Sequence, residues 1–173
     1  MKNPIVALLF ILAGTLASGG ASAYGARPHP TPAATAHGLA RAPSGWLQFC
    51  SARPADCAVD PQEEALIRLD ARRWRLLTAI NRKVNSAIVP QTDEEQWGVI
   101  ESWDYPDSGK GDCEDYALLK RRLLVEAGLP RRALRLAVVL DENGEGHAVL
   151  MVRTDRGDLI LDNKRDAILP WLA

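Results

Sequence analysis

A chain of 173 residues has room for one domain rather than two. Its 21 basic and 22 acidic residues give a formal net charge of −1, which argues against nucleic acid or an anionic membrane as a default partner.

The first residues read as an address. Lys2 supplies a positive n-region, Ile5 to Leu16 an apolar h-region, and Ala21-Ser22-Ala23 a small-residue cleavage site. Residues 1–23 are therefore expected to be a cleaved signal peptide, with the mature chain beginning near Tyr24 in the periplasm or outside the cell. The apolar run is short for a membrane span, Gly14, Gly19 and Gly20 weaken it further, and no other segment is long enough to cross a bilayer. Removing residues 1–23 takes away one lysine and no acid, leaving 20 basic against 22 acidic residues.

Residues 24–44 carry Pro28, Pro30, Pro32 and Pro43 among alanine and glycine, which predicts a flexible leader with too little apolar content to form a core. His29 and His37 are too sparse a pair to suggest a metal site. The folded domain is expected over residues 45–173. Cys50 and Cys57, with Pro54 and Asp56 between them, suit a small disulfide loop in an oxidising compartment. That leaves Cys113 as an odd thiol among Asp112, Glu114 and Asp115, an unattractive setting for an inert buried cysteine.

Asp60 as N-cap, Pro61, and the acids Glu63 and Glu64 predict a helix opening near residue 61. Ile67, Trp74, Leu77, Val84 and Ile88 carry helical spacing to about Ala87, and Pro90 marks the exit. Residues 91–110, with Trp97 and Trp103, read as a loop-rich approach. A second helix runs from about Cys113 to Ala127, with Asp112 as N-cap and Asp115 in a near capping box. Gly128 and Pro130 stop it. Arg121-Arg122 and Arg131-Arg132 read as a solvated helix end and its exit loop.

Three strands follow, Ala133 to Leu140, His147 to Arg153 and Asp158 to Asp162, joined by turns at Asn143-Gly144 and Asp155-Arg156-Gly157. Two helices and then an antiparallel meander indicate an α+β fold.

The chemistry lies in Cys113, His147 and Asp162. A thiol needs to become thiolate to attack, and a helix N-terminus and a paired imidazolium both favour that form. If residues 154–157 close the second hairpin, Arg153 faces Asp158, Asp162 falls opposite roughly Val149, and His147 lies within diagonal reach of Asp162. That order suits a thiol nucleophile, its base and the base's orienter. Asp112, Glu114 and Asp115 concentrate hard oxygen ligands of the kind calcium prefers, beside the simpler reading that they only cap the helix. No Cys-x-x-Cys or His-Glu-x-x-His spacing supports catalytic zinc.

Gly-Asp-Cys-Glu-Asp-Tyr at 111–116, Gly146-His147-Ala148-Val149-Leu150 and Leu161-Asp162-Asn163 resemble the signature of the bacterial transglutaminase-like cysteine proteinases, within the transglutaminase–papain superfamily. The likeness runs from about Trp46 to Trp171 and includes Trp97-Gly98, Trp103-x-x-Pro106 and the two cysteines Cys50 and Cys57. It implies a papain-like core with Cys113 as nucleophile, His147 as base and Asp162 as orienter, cleaving an amide bond through a thioester. The Cys113 backbone amide, with a donor from the Trp97 to Trp103 segment, would form the oxyanion hole. The family's best known branch is periplasmic, cuts surface adhesins, and uses calcium at the acids beside the cysteine. A protein substrate, an exported adhesin among the candidates, is therefore implied, and no cofactor for the chemistry itself. Relatives commonly continue beyond the point at which this sequence ends, Ala173. Transfer of the acyl group to an amine uses the same triad, and a calcium-dependent binding module would keep the fold without the chemistry.

Overall fold

Helix α5 (Cys113–Glu126) packs one face on a four-stranded antiparallel sheet and the other on helix α3 (Ala71–Ala87). The computed structural model describes residues 25–173, so the expected export segment and Tyr24 lie outside the described residues. The strands are β3 (Leu134–Leu140), β4 (Gly146–Thr154), β5 (Gly157–Leu161) and β6 (Leu169–Pro170), in that spatial order. Leu77 and Val84 from α3, Tyr116 and Leu124 from α5, and Leu150, Val152, Leu159 and Leu161 from the sheet are buried together in the main core. A smaller cluster of Phe49, Trp103 and Leu118 lies under helix α1 (Ser44–Ala52). The Cys50–Cys57 disulfide links α1 to the short helix α2 (Pro54–Cys57).

The α+β expectation holds, and so does the register of the second hairpin. Arg153 pairs with Asp158, and the ladder ends at Leu150 opposite Leu161, one step before Val149 and Asp162. The fourth strand was not foreseen, because two residues ending in proline carry no alternation to read.

The first long helix starts ten residues later than its sequence signals suggest. Asp70, not Asp60, is the N-cap, accepting a 2.7 Å bond from the Arg73 amide. Residues 61–70 serve the sheet instead: Ile67 donates to the Arg153 carbonyl and accepts from the Asp155 amide, and its side chain is buried in the core. Tertiary pairing overrides the local opening signal. Within the expected loop, Val89–Pro90 (β1) and Lys110–Gly111 (β2) form a parallel pair, and Thr92 and Glu95 make a capping box for α4 (Asp93–Trp97). The leader, for which composition predicts flexibility, hydrogen-bonds along the domain: Thr31 N to Arg156 O, Ala34 N to the Asp158 carboxylate, and Arg27 to Leu69 O. Gly157 is left-handed at φ 97, and a Cβ there would strike the Thr31 carbonyl.

Lys120 on α5 is fully buried, its ammonium lacks a hydrogen-bond partner among the described residues, and it lies 5.9 Å from the centre of the Tyr116 ring. Burial pulls its pKa down to about 7, against the charges of Asp162 and Asp166. Between that value and the unfolded value of about 10.4 the unfolded chain binds the extra proton, so this group's contribution makes stability rise with pH. Lys120→Met should therefore gain most over the parent near pH 7 and lose that advantage toward pH 10, as read by urea unfolding at each pH; a pH-independent difference would show the lysine charged in the fold. Replacing Cys50 and Cys57 together with alanine should cost about 2 kcal/mol in the same assay, since the closed loop is short.

Candidate active site

Three backbone events bring the site together. The β1–β2 pair sets residues 88–91 against the start of α5, with the Gln91 amide donating to Gly111 O at 3.0 Å and the Tyr116 hydroxyl to Ile88 O at 2.7 Å. Gly111 permits a close approach, since a Cβ there would lie 2.9 Å from the Asp115 Cβ. Strand β4 then begins four residues before the first pair of its ladder with β5, leaving the Ala148 amide free to donate to the Cys113 Sγ at 3.3 Å.

Cys113 is the first residue of α5, where a helix N–H has no partner within the helix. The thiol donates to Glu114 Oε2 at 3.2 Å. Burial pushes its pKa up to about 12; the Ala148 amide opposes this, and the charges of Glu114 and Asp112 add to it. The helix terminus was expected to favour thiolate, but burial beside two carboxylates outweighs it in the chain alone.

His147 and Asp162 are both buried, and His147 Nε2 lies 2.9 Å from Asp162 Oδ1. A carboxylate can only accept, so Nε2 carries the proton and Nδ1 is left for other work. Burial works against the Asp162 charge, yet the bonds from His147 and the Lys164 amide, with Arg165 nearby, hold its carboxyl below the ordinary range. Asn85 donates to the Asp162 carbonyl at 3.0 Å, and Asn81 and Asn85 together grip the carbonyls of Arg165 and Asp166. Sequence reasoning missed both asparagines; their spacing of four on α3, on the side that meets residues 162–166, was the available signal.

A groove of about 310 Å³ runs past Gln91, Cys113, His147 and Asn163. Lys164 Nζ bridges to Asp141 Oδ2 at 2.6 Å on its rim. Neither tryptophan considered for the oxyanion hole lines it. The Trp103 indole donates to Glu101 at 2.8 Å inside the smaller core, and Trp97 is largely exposed. Gln91, which the sequence did not single out, lines it instead.

The acids divide differently from the expected metal set of Asp112, Glu114 and Asp115. One oxygen each from Asp93, Asp112 and Glu114 lie within 4.8 Å of one another. Asp115 is not among them: its Oδ1 accepts from the Asp104 amide, and burial raises its pKa to about 7. Asp112 does not cap the helix through its side chain; Oδ2 accepts from the Asp93 amide, and Oδ1 is buried without a partner. Burial, and then Asp112, push Glu114 up to about 8. Asp93 is likewise raised by burial, although it accepts from the Ser102 amide. Three crowded carboxylates with an orphaned oxygen fit a hard divalent cation such as calcium, with carbonyls or water completing its six to eight ligands. The signal for Asp93 was the Thr92 and Glu95 capping box, which fixes a helix start beside residue 112.

Comparison with known proteins follows this geometry. The family model described as bacterial transglutaminase-like cysteine proteinase matches residues 36–173. Among solved structures, calcium-bound LapG of Legionella pneumophila is similar with a TM-score of 0.52 and 26% identity, covering 61% of each chain. A second structure of LapG from the same organism is 30% identical over 55% of this chain and 56% of that one, at a TM-score of 0.46. This chain thus spans about three fifths of the length of the LapG structures it matches. No curated protein matches it. The fold is transglutaminase-like, and the chain belongs to the bacterial transglutaminase-like cysteine proteinases.

Proposed function

We propose that this chain is an exported cysteine protease in which Cys113, His147 and Asp162 hydrolyse a peptide bond of a protein substrate. The observation that carries the reading is the buried His147–Asp162 pair, set beside a thiol at a helix N-terminus that the Ala148 amide holds in the same groove. Membership of a proteinase family supports it. Among the described residues no helix is long and apolar enough to cross a membrane. Export itself rests on residues 1–23, and a surface adhesin as substrate rests on the family resemblance.

In this mechanism His147 Nδ1 takes the Cys113 proton and Sγ attacks the scissile carbonyl carbon. The Cys113 N–H and the Gln91 carboxamide receive the charge that develops on the oxygen. As the C–N bond breaks, the imidazolium returns its proton to the leaving amine, giving a thioester. Water, giving a proton to His147, then attacks the thioester, and the thiol leaves protonated. Asp162 holds Nε2 throughout and stabilises the imidazolium. Asp93, Asp112 and Glu114 would hold calcium, which supplies there the positive charge the three carboxylates lack. Glu114 belongs both to that cluster and to the thiol's hydrogen-bond partners, so the two sites share a side chain.

With fluorescein-labelled casein as a general substrate, Cys113→Ala should abolish cleavage. His147→Ala and Asp162→Asn should each lower kcat by about 10²–10⁴-fold. Cleavage surviving in Cys113→Ala would remove the nucleophile assignment, and an unfolded variant would be recognised by its lost thermal transition.

Calcium should raise the Tm of the Cys113→Ala protein, where no catalysis intervenes. Asp93→Asn and Asp112→Asn should abolish that rise, and Asp115→Asn should keep it. The reverse pattern would restore Asp115 to the ligand set in place of Asp93.

A further inference from the structure

The outer edge of β3 combines three features that the catalytic groove does not use. First, its backbone is open. Because the Ala148 N–H points at Cys113, the Val138–Ala148 pair is not a hydrogen-bonded one, so Val138 directs its N–H and C=O away from β4. By the two-residue period Leu136 does the same, and the Leu134 carbonyl on that side is already taken by Arg121. β3 is the terminal strand of its sheet, so Leu136 and Val138 face no partner strand.

Second, the charge beside this edge is of one sign. A groove of about 630 Å³ is lined by Arg41, Arg121, Arg131, Arg132 and Arg135 and by no acid. Among the described residues none of these five forms an ion pair with a carboxylate. Arg121, buried rather than at a solvated helix end, donates to the carbonyls of Leu134 and Asp56. Arg131 donates to Ala55 O, and Arg132 to the carbonyls of Pro61 and Glu63. These bonds fix the guanidinium groups without neutralising them. Glu63, on the Arg132 amide, Asp56, and Asp158 near Arg135 offset part of the charge from behind. Third, Leu134, Leu136 and Val138 line the same groove and give it an apolar strip along the strand.

We propose that this edge is an exosite for an acidic, extended segment of the protein substrate, which adds as a strand to β3 with its carboxylates toward the arginines. The inference rests on the protease reading above and deepens it by naming a substrate class. The catalytic groove is lined by the acids Glu95, Asp112, Asp141 and Glu145 against one cation, Lys164, already paired with Asp141, so an acidic segment is disfavoured there and drawn to β3. A strand added at the open edge lies three strand spacings, about 14 Å, from the β5 side of β4 where the thiol sits. At about 3.3 Å per extended residue, the acidic segment stands at least about four residues from the scissile bond. Strand addition supplies main-chain affinity, and the arginines supply the sequence preference.

The test uses the full mature chain with Cys113→Ala, so that binding is read without catalysis. A fluorescein-labelled ten-residue peptide of alternating Glu and Val should bind by anisotropy, and a Lys–Val counterpart should not. Arg131→Glu with Arg135→Glu should weaken binding at least tenfold, as should raised salt, while Arg131→Gln with Arg135→Gln of unchanged Tm should weaken it less. N-methylation of alternate peptide amides should cost a similar factor. Equal binding of both peptides, or binding indifferent to the charge reversal, would overturn the exosite. Undiminished binding of the N-methylated peptide would overturn strand addition, and tighter binding of a single-stranded DNA 10-mer than of the Glu–Val peptide would overturn the protein partner. Should the catalytic reading fail in the casein assay, the anisotropy result still stands or falls by itself.

Discussion

The amide of Ala148 donates to the sulfur of Cys113, and that contact ties the first residue of α5 to the strand carrying His147. A helix N-terminus is a poor place to bury a cysteine beside acids, because Asp112 and Glu114 disfavour the thiolate that the dipole favours. The β4 backbone supplies one donor against that penalty, and the packing of α5 on the sheet keeps it aimed. The same docking draws Gly111 and the β1–β2 pair into place, which brings Gln91 to the groove and Asp93 to the acids. The groove beside Cys113 and the cluster of acids thus depend on one helix–strand junction.

Two neighbouring charge arrangements meet at that junction and behave oppositely. Asp162 is buried yet stays ionised, because His147, the Lys164 amide and Arg165 all serve its negative form. Glu114 is buried with Asp112 beside it, and its proton is held into the neutral range. The difference lies in the partners, since both carboxylates are largely withdrawn from water. One carboxylate is bonded to an imidazole; the other belongs to a cluster of three acids.

Much of this was legible in the chain, for identifiable reasons. The hairpin turns and the period-two runs set the β4–β5 register, and register alone carried His147 to Asp162. The helix starting at Cys113 followed from its stops at Gly128 and Pro130 and from its apolar stripe. What escaped reading depended on contacts distant in sequence. Pro61 and two glutamates form a sound helix opening, but Ile67 is needed as a partner for the end of β4. Trp103 lies close to the motif in sequence, yet its indole is bonded to Glu101 inside a separate cluster. Asp93 joins the acids across nineteen residues, through a helix of five whose capping box is the only local trace. Proximity in sequence suggested Asp115 for that role; on the helix it points instead to the Asp104 amide.

Strand β5 stops at Leu161, opposite Leu150, although β4 continues back to Gly146. Two more residues in the same register would set Asn163 against Ala148 and give that amide an ordinary carbonyl partner. The sulfur would then lose its donor from β4. A longer β5 would make a more regular sheet and break the contact between the sheet and the start of α5. The Cys113 sulfur occupies a rung left out of a hydrogen-bond ladder, so strand length, which is usually a matter of stability, here decides whether helix and sheet can meet at that sulfur.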